Sequence, residues 1–234
     1  MNSRLLVAIA ASLTFAAGSG VASAAPRATL IDVHTIKIDR ARPGGGANCS
    51  NAGAETGAYV LTGWKVGGPT TSTFNTTTLP SNLGLSATVS AMQSAFSAWS
   101  QATRAPQITV ATSTSSATKP TSNHRYELMF GKTGGTTLAV TYTWRWTDGT
   151  VESDTLFNTS FTWANLGAEG DGCYETAGNV YDVANIGTHE FGHAYGLDHP
   201  SSARFETMYA YGYSGETLKR SLATGDVAGA NSLY

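Results

Sequence analysis

The run from His189 to His199, His-Glu-Phe-Gly-His-Ala-Tyr-Gly-Leu-Asp-His, constrains this chain more than any other stretch of it. On a helix, positions 189 and 193 stand one turn apart on the same face, so their imidazoles can bind one metal ion. Glu190 is rotated about 100° from His189, and its longer side chain can reach a metal-bound water without being a ligand. Gly196 accepts the positive φ that ends a helix in a sharp turn, and that turn brings His199 back as a third ligand. Three histidines and an open fourth position describe a catalytic zinc site, whereas a structural site is closed by four protein ligands. With this chain's own residue frequencies, the five fixed positions have a chance occurrence of roughly 1 in 100,000. Two blander readings, a solvated helix with incidental histidines and a metal site without catalysis, lose weight against that specificity.

The surrounding periodicity describes one α+β domain. Leu85, Val89, Met92, Phe96 and Trp99 recur at spacings of 4, 3, 4 and 3, which puts them on one core-facing stripe of a helix. After Pro106 the period becomes two: Ile108 and Val110, then Tyr126, Leu128 and Phe130, then Leu138, Val140, Tyr142, Trp144 and Trp146 alternate with other residues. Residues 151–157 form a weaker candidate strand, and Asp148-Gly149 predicts a hairpin with the one before it. Tyr59-Val60-Leu61 and Trp64 suggest a first strand, and the Thr-, Pro- and Gly-rich residues 67–84 read as a connection. Further helices are predicted over about 181–195 and, from Val227, Ala230 and Leu233, over about 224–233.

Arg4, the apolar run Leu5 to Ala17 and Ala22-Ser23-Ala24 read as a signal peptide over residues 1–24, with an apolar core too short for a membrane anchor. Residues 25–56 read as an N-terminal extension or short pro-segment, in which Leu30 to Ile38 could make a short strand. Residues 57–234 are the predicted catalytic domain. The balance of 14 basic against 16 acidic residues, a formal net charge of -2, argues against a nucleic-acid partner held through its phosphates. In an oxidising compartment the two cysteines, Cys49 and Cys173, are expected to close a disulfide.

The zinc motif resembles that of the metzincin metalloproteases, His-Glu-x-x-His-x-x-Gly-x-x-His followed by a methionine turn. Thr207-Met208-Tyr209 is similar to that turn, and the resemblance implies that Met208 lies beneath the metal as a hydrophobic floor. Among metzincins the chain most resembles the matrixins, the matrix-metalloproteinase group and its bacterial relatives, over about residues 57–234. Met208-Tyr209-Ala210-Tyr211 is similar to their Met-Tyr-Pro region with Ala210 in place of Pro, and Leu222 to Tyr234 is similar to their C-terminal helix. The implied fold is a twisted five-stranded mixed sheet with two long helices and a C-terminal helix.

The same resemblance implies a zinc endopeptidase whose partners are protein or peptide substrates; the signal-like residues 1–24 add the expectation of a secreted monomer with no membrane association after signal removal. One Zn2+ is held by His189, His193 and His199, and Glu190 serves as general base and then acid. The alternative is a catalytically inactive binding module on the same fold, and a third, non-enzymatic reading as a surface protein rests on composition alone. Pro200 after His199 and Gly225 in place of the first Asp of the matrixin Asp-Asp pair depart from the family pattern. The resemblance leaves room for calcium but assigns it no ligands. Matrixin pro-segments commonly cap the zinc with a Pro-Arg-Cys-Gly thiolate; Gly46-Ala47-Asn48-Cys49-Ser50 lacks that motif. Cys49 therefore pairs with Cys173 or, alternatively, caps the zinc, and a thiol count separates the two.

Overall fold

A computed structural model describes residues 25–38, 57–167 and 179–234. Cys49, Cys173 and the signal-peptide residues 1–24 lie outside the described residues. The strands are β1 (Ala28–Ile38), β2 (Val60–Leu61), β3 (Thr70–Asn75), β4 (Ile108–Ser113), β5 (Tyr126–Gly131), β6 (Thr137–Trp146), β7 (Val151–Asn158), β8 (Thr162–Ala164), β9 (Val180–Asp182), β10 (Leu197–Asp198) and β11 (Tyr211–Gly212). The helices are α1 (Leu85–Ala102), α2 (Val183–Tyr195) and α3 (Thr224–Leu233).

The main sheet has the order β11-β1-β6-β7-β5-β3-β4. Its five central members, β6, β7, β5, β3 and β4, form the mixed sheet that the matrixin resemblance implies. β6 runs antiparallel to β7, whereas β7, β5, β3 and β4 run parallel to one another. The predicted hairpin is present: Gly149 adopts a φ of 88° and Trp146 N–H donates to Thr150 O. The sheet extends beyond the expected five strands because β1 and the short β11 add to the free edge of β6.

Two sequence expectations change. Val60–Leu61 forms only a two-residue bridge to β10, and the first strand of the central sheet is Thr70–Asn75, inside the predicted connection. Threonines supply the β-branched backbone preference there, and only Ser72, Phe74 and Asn75 are buried, so no apolar alternation marks the strand. Glu127 and Met129, which alternate with the predicted core positions Tyr126, Leu128 and Phe130, are also buried. Thr121 and Asn123 donate backbone N–H groups to Asp154 and Glu152, and Ala117 donates one to Glu127, so the loop they belong to covers the second face of the sheet. Burial pushes the Asp154 carboxyl up to about 8.

On the first face the core lies between the sheet, α1 and α2. Met92, Phe96 and Trp99 of α1 are buried as the helical spacing predicts, Val89 is partly buried, and Leu85 in the first turn is exposed. The rings of Phe96 and Phe191 stack with centroids 3.7 Å apart, and Trp99 Nε1 donates to Thr188 O at 2.9 Å. Every residue of α2 is buried, so the helix carrying the motif is held on all sides.

Candidate metal and catalytic centre

Asp182 opens α2 by accepting from Asn185 N–H at 2.7 Å, which satisfies one of the helix's free N-terminal donors. Gly196 closes it at φ 106°, ψ 22°. A Cβ at Gly196 would lie 2.1 Å from the Trp64 carbonyl oxygen, because the β2–β10 bridge draws residues 60–64 against the turn. Gly196 is therefore required both by its backbone conformation and by the close approach of Trp64. Gly196→Ala is expected to cost at least about 2 kcal/mol, lowering the thermal midpoint by about 4–8 °C. It should also displace His199 and lower metal occupancy. An unchanged melting curve would show that the turn tolerates a side chain.

The turn completes a convergent triad. His189 and His199 Nε2 are 3.0 Å apart, His193 and His199 Nε2 are 3.0 Å apart, and His189 and His193 Nε2 are 3.3 Å apart. His189 Nδ1 lies 2.7 Å from Thr207 O and His193 Nδ1 lies 2.8 Å from Leu197 O. A carbonyl only accepts, so each Nδ1 carries the proton and each of these Nε2 atoms presents a bare lone pair. Burial holds the His189 and His193 pKa values well below the usual range and pushes His199 down to about 4, so the triad is neutral. The bare Nε2 lone pairs of His189 and His193, 3.3 Å apart, repel unless a proton or a cation lies between them. Three nitrogens bound tetrahedrally to zinc at 2.0–2.1 Å stand about 3.3–3.4 Å apart, which the observed spacing approaches. The donor set fits that ion.

Outer contacts fix these rings. Asp226 accepts N–H bonds from Thr207 at 2.6 Å, Met208 at 3.1 Å and Ala223 at 2.9 Å. It thereby pins the backbone whose carbonyl orients His189. Burial pushes the Asp226 carboxyl up to about 6. Met208 is buried beneath α2 at Gly192, where a Cβ would lie 2.2 Å from its sulfur and 2.6 Å from Trp99 Cζ2. Gly192 thus lets the methionine turn approach the helix between the two histidine positions.

Glu190 points into the centre of the sheet edge. Thr141 Oγ1 donates to its Oε2 at 2.6 Å and Ile36 N–H donates to its Oε1 at 3.3 Å. Burial pushes the Glu190 carboxyl up to about 8, and the two hydrogen bonds act against that rise. A metal ion beside it would also favour the carboxylate. A carboxyl poised this way can both accept and return a proton.

Three residues at this centre carry no sequence signal that places them there: His34, Ile36 and Thr141. His34 stacks on His193, with ring centroids 4.2 Å apart and planes 8° apart. Its nitrogen atoms, with those of His193 and His199, form a second group whose candidate ligand atoms all lie within 4.8 Å. That group is looser than the Nε2 triad. His34 Nδ1 and Nε2 also face Asp198 at 3.3 Å and Asp32 at 3.0 Å, and a ring stacked face to face on a ligand cannot share its metal readily. The triad of His189, His193 and His199 is therefore the better metal cradle. No local pattern announces His34 or Ile36, because strand pairing alone carries them there.

A family model described as Matrixin matches residues 64–234. No curated protein matches the chain.

Proposed function

Because the chain belongs to the matrixin family, we propose that it is a zinc-dependent endopeptidase that acts outside the cell. The observation that carries this reading is the set of three converging Nε2 atoms beside the buried Glu190 carboxyl, which accepts from Thr141 and Ile36. His189, His193 and His199 would hold the zinc. Bound zinc supplies Lewis-acid polarisation of a peptide carbonyl and lowers the pKa of a water.

Glu190 does the proton work. It takes a proton from the attacking water and returns it to the amine nitrogen as the peptide bond breaks. Thr141 Oγ1 restrains one carboxylate oxygen at 2.6 Å, and the other accepts from the Ile36 N–H at 3.3 Å. The substrate adopts an extended form and pairs with the edge of β6 that β1 occupies in this structure. Extracellular action rests on the signal-like residues 1–24, and residues 25–56 are an N-terminal extension or short pro-segment in this reading. The intact Glu190 disfavours the inactive binding-module reading.

Purified enzyme should hydrolyse an unfolded protein substrate. A chelator should stop the reaction, and added zinc should restore it. Turnover that survives complete removal of zinc would contradict the metal assignment, and a zinc-loaded protein without turnover would favour the binding module.

A further inference from the structure

β1 lies where an extended substrate would lie. It is antiparallel to β6, with Val33 opposite Tyr142, Thr35 opposite Val140 and Ile36 opposite Ala139. On its other side it runs parallel to β11, with Lys37 opposite Tyr211, and Lys37 N–H donates to Ala210 O at 3.0 Å. The strand is clamped between the sheet edge and the segment that follows Met208. Only His34 and Ile36 of β1 are buried, while Leu30 and Val33 remain 48% and 43% exposed. The two buried side chains of this strand flank Thr35. The strand also lies outside residues 64–234, the stretch that matches the family.

His34 and Ile36 meet the chemical groups directly. The His34 ring covers His193, and the Ile36 amide nitrogen faces Glu190 Oε1 at 3.3 Å. The carbonyl of Thr35 therefore belongs to the peptide group that spans from the histidine triad to the carboxyl. The Ile36 side chain fills an apolar pocket: a Cβ built at Gly212 would meet Ile36, Ile186 and Leu138 Cδ1 atoms at 3.3, 3.0 and 3.1 Å.

We infer that β1 is the chain's own first substrate, seated in the productive direction with the Thr35–Ile36 bond as the bond cut. The inference rests on the endopeptidase reading. Water adds its oxygen to the Thr35 carbonyl carbon, the C–N bond breaks, and Glu190 delivers a proton to the Ile36 nitrogen. Thr35 becomes a C-terminal carboxylate and Ile36 a free amine. Seven of the nine β1–β6 pairs lie upstream of the cut and two, at Ile36 and Lys37, lie downstream. Cleavage thus removes most of the pairing that holds the cleft closed to other peptides.

The test follows the N-terminus of the full chain by intact mass and N-terminal sequencing, beside turnover of an unfolded protein substrate. Wild type should begin at Ile36, and the cut fraction at a given time should not change over a tenfold range of protein concentration. Glu190→Ala and Ile36→Asp, each checked for folding by circular dichroism, should keep the Thr35–Ile36 bond. In metal-free Glu190→Ala, amides of residues 32–37 should exchange at least 100-fold more slowly than in the free peptide. Exchange at free-peptide rates would remove β1 from the cleft and overturn the inference. Turnover of external substrate by wild type without any chain beginning at Ile36 would overturn self-cleavage and leave the endopeptidase standing. Absence of both cleavage and turnover in zinc-loaded protein would overturn the endopeptidase reading, and self-cleavage with it.

Discussion

Glu190→Ala is expected to keep about one zinc per chain and to lose peptide hydrolysis by about 100- to 10,000-fold, the range set by general acid–base catalysis. The carboxyl touches neither Nδ1 nor Nε2 of the histidine triad in the hydrogen-bond network, so its removal leaves the metal cradle intact. Thr141 Oγ1 retains Thr155 Oγ1 at 3.0 Å and Glu190 O at 3.3 Å as partners, which limits the cost to the fold. Glu190→Gln separates proton transfer from hydrogen bonding. It keeps an oxygen for the Ile36 amide but cannot take a proton from water, so it should be about as inactive as the alanine variant. Metal content by mass spectrometry and turnover of an unfolded substrate decide the matter. Substantial hydrolysis by either variant would assign the proton transfer elsewhere.

His193→Ala should act on the metal itself. It removes one of three converging ligands, so zinc affinity should fall by more than about 100-fold, since loss of a mere outer-shell partner already costs 10–100-fold. It also strips the Leu197 carbonyl of its buried donor, at a cost of about 1–3 kcal/mol. Zinc titration and thermal unfolding read these effects separately. In wild type, zinc should raise the thermal midpoint, because a ligand that binds only the folded state stabilises it. In His193→Ala that increment should vanish. A variant that still binds one zinc at wild-type affinity would exclude His193 from the ligand set.

Glu190 and His193 both belong to a run whose geometry is local. The spacing of positions 189 and 193 marks the helix beneath them, and Gly196 marks its end. α1 and α3 are legible for the same reason: their apolar positions recur within a few residues of one another. β3 is not, since its threonines carry a strand preference without an apolar alternation. The burial of Glu127 and Met129 is also hidden, because a distant loop covers that face of the sheet.

The sequence by itself determined the donor chemistry of the centre: three imidazoles, one carboxyl and a glycine turn within one short run, all governed by helix geometry. Only the tertiary structure decided what surrounds them. Thr141 stands 49 residues from Glu190 and Ile36 stands 154 away, and sheet register brings both to the same carboxyl. Asp226 reaches Thr207 from α3 and so orients His189 through a carbonyl. Such contacts depend on strand order and helix packing, which no local period encodes. The occupation of the cleft by β1 has the same origin: an N-terminal segment without a motif becomes part of the centre because the free edge of β6 offers unpaired backbone groups, and this strand satisfies them.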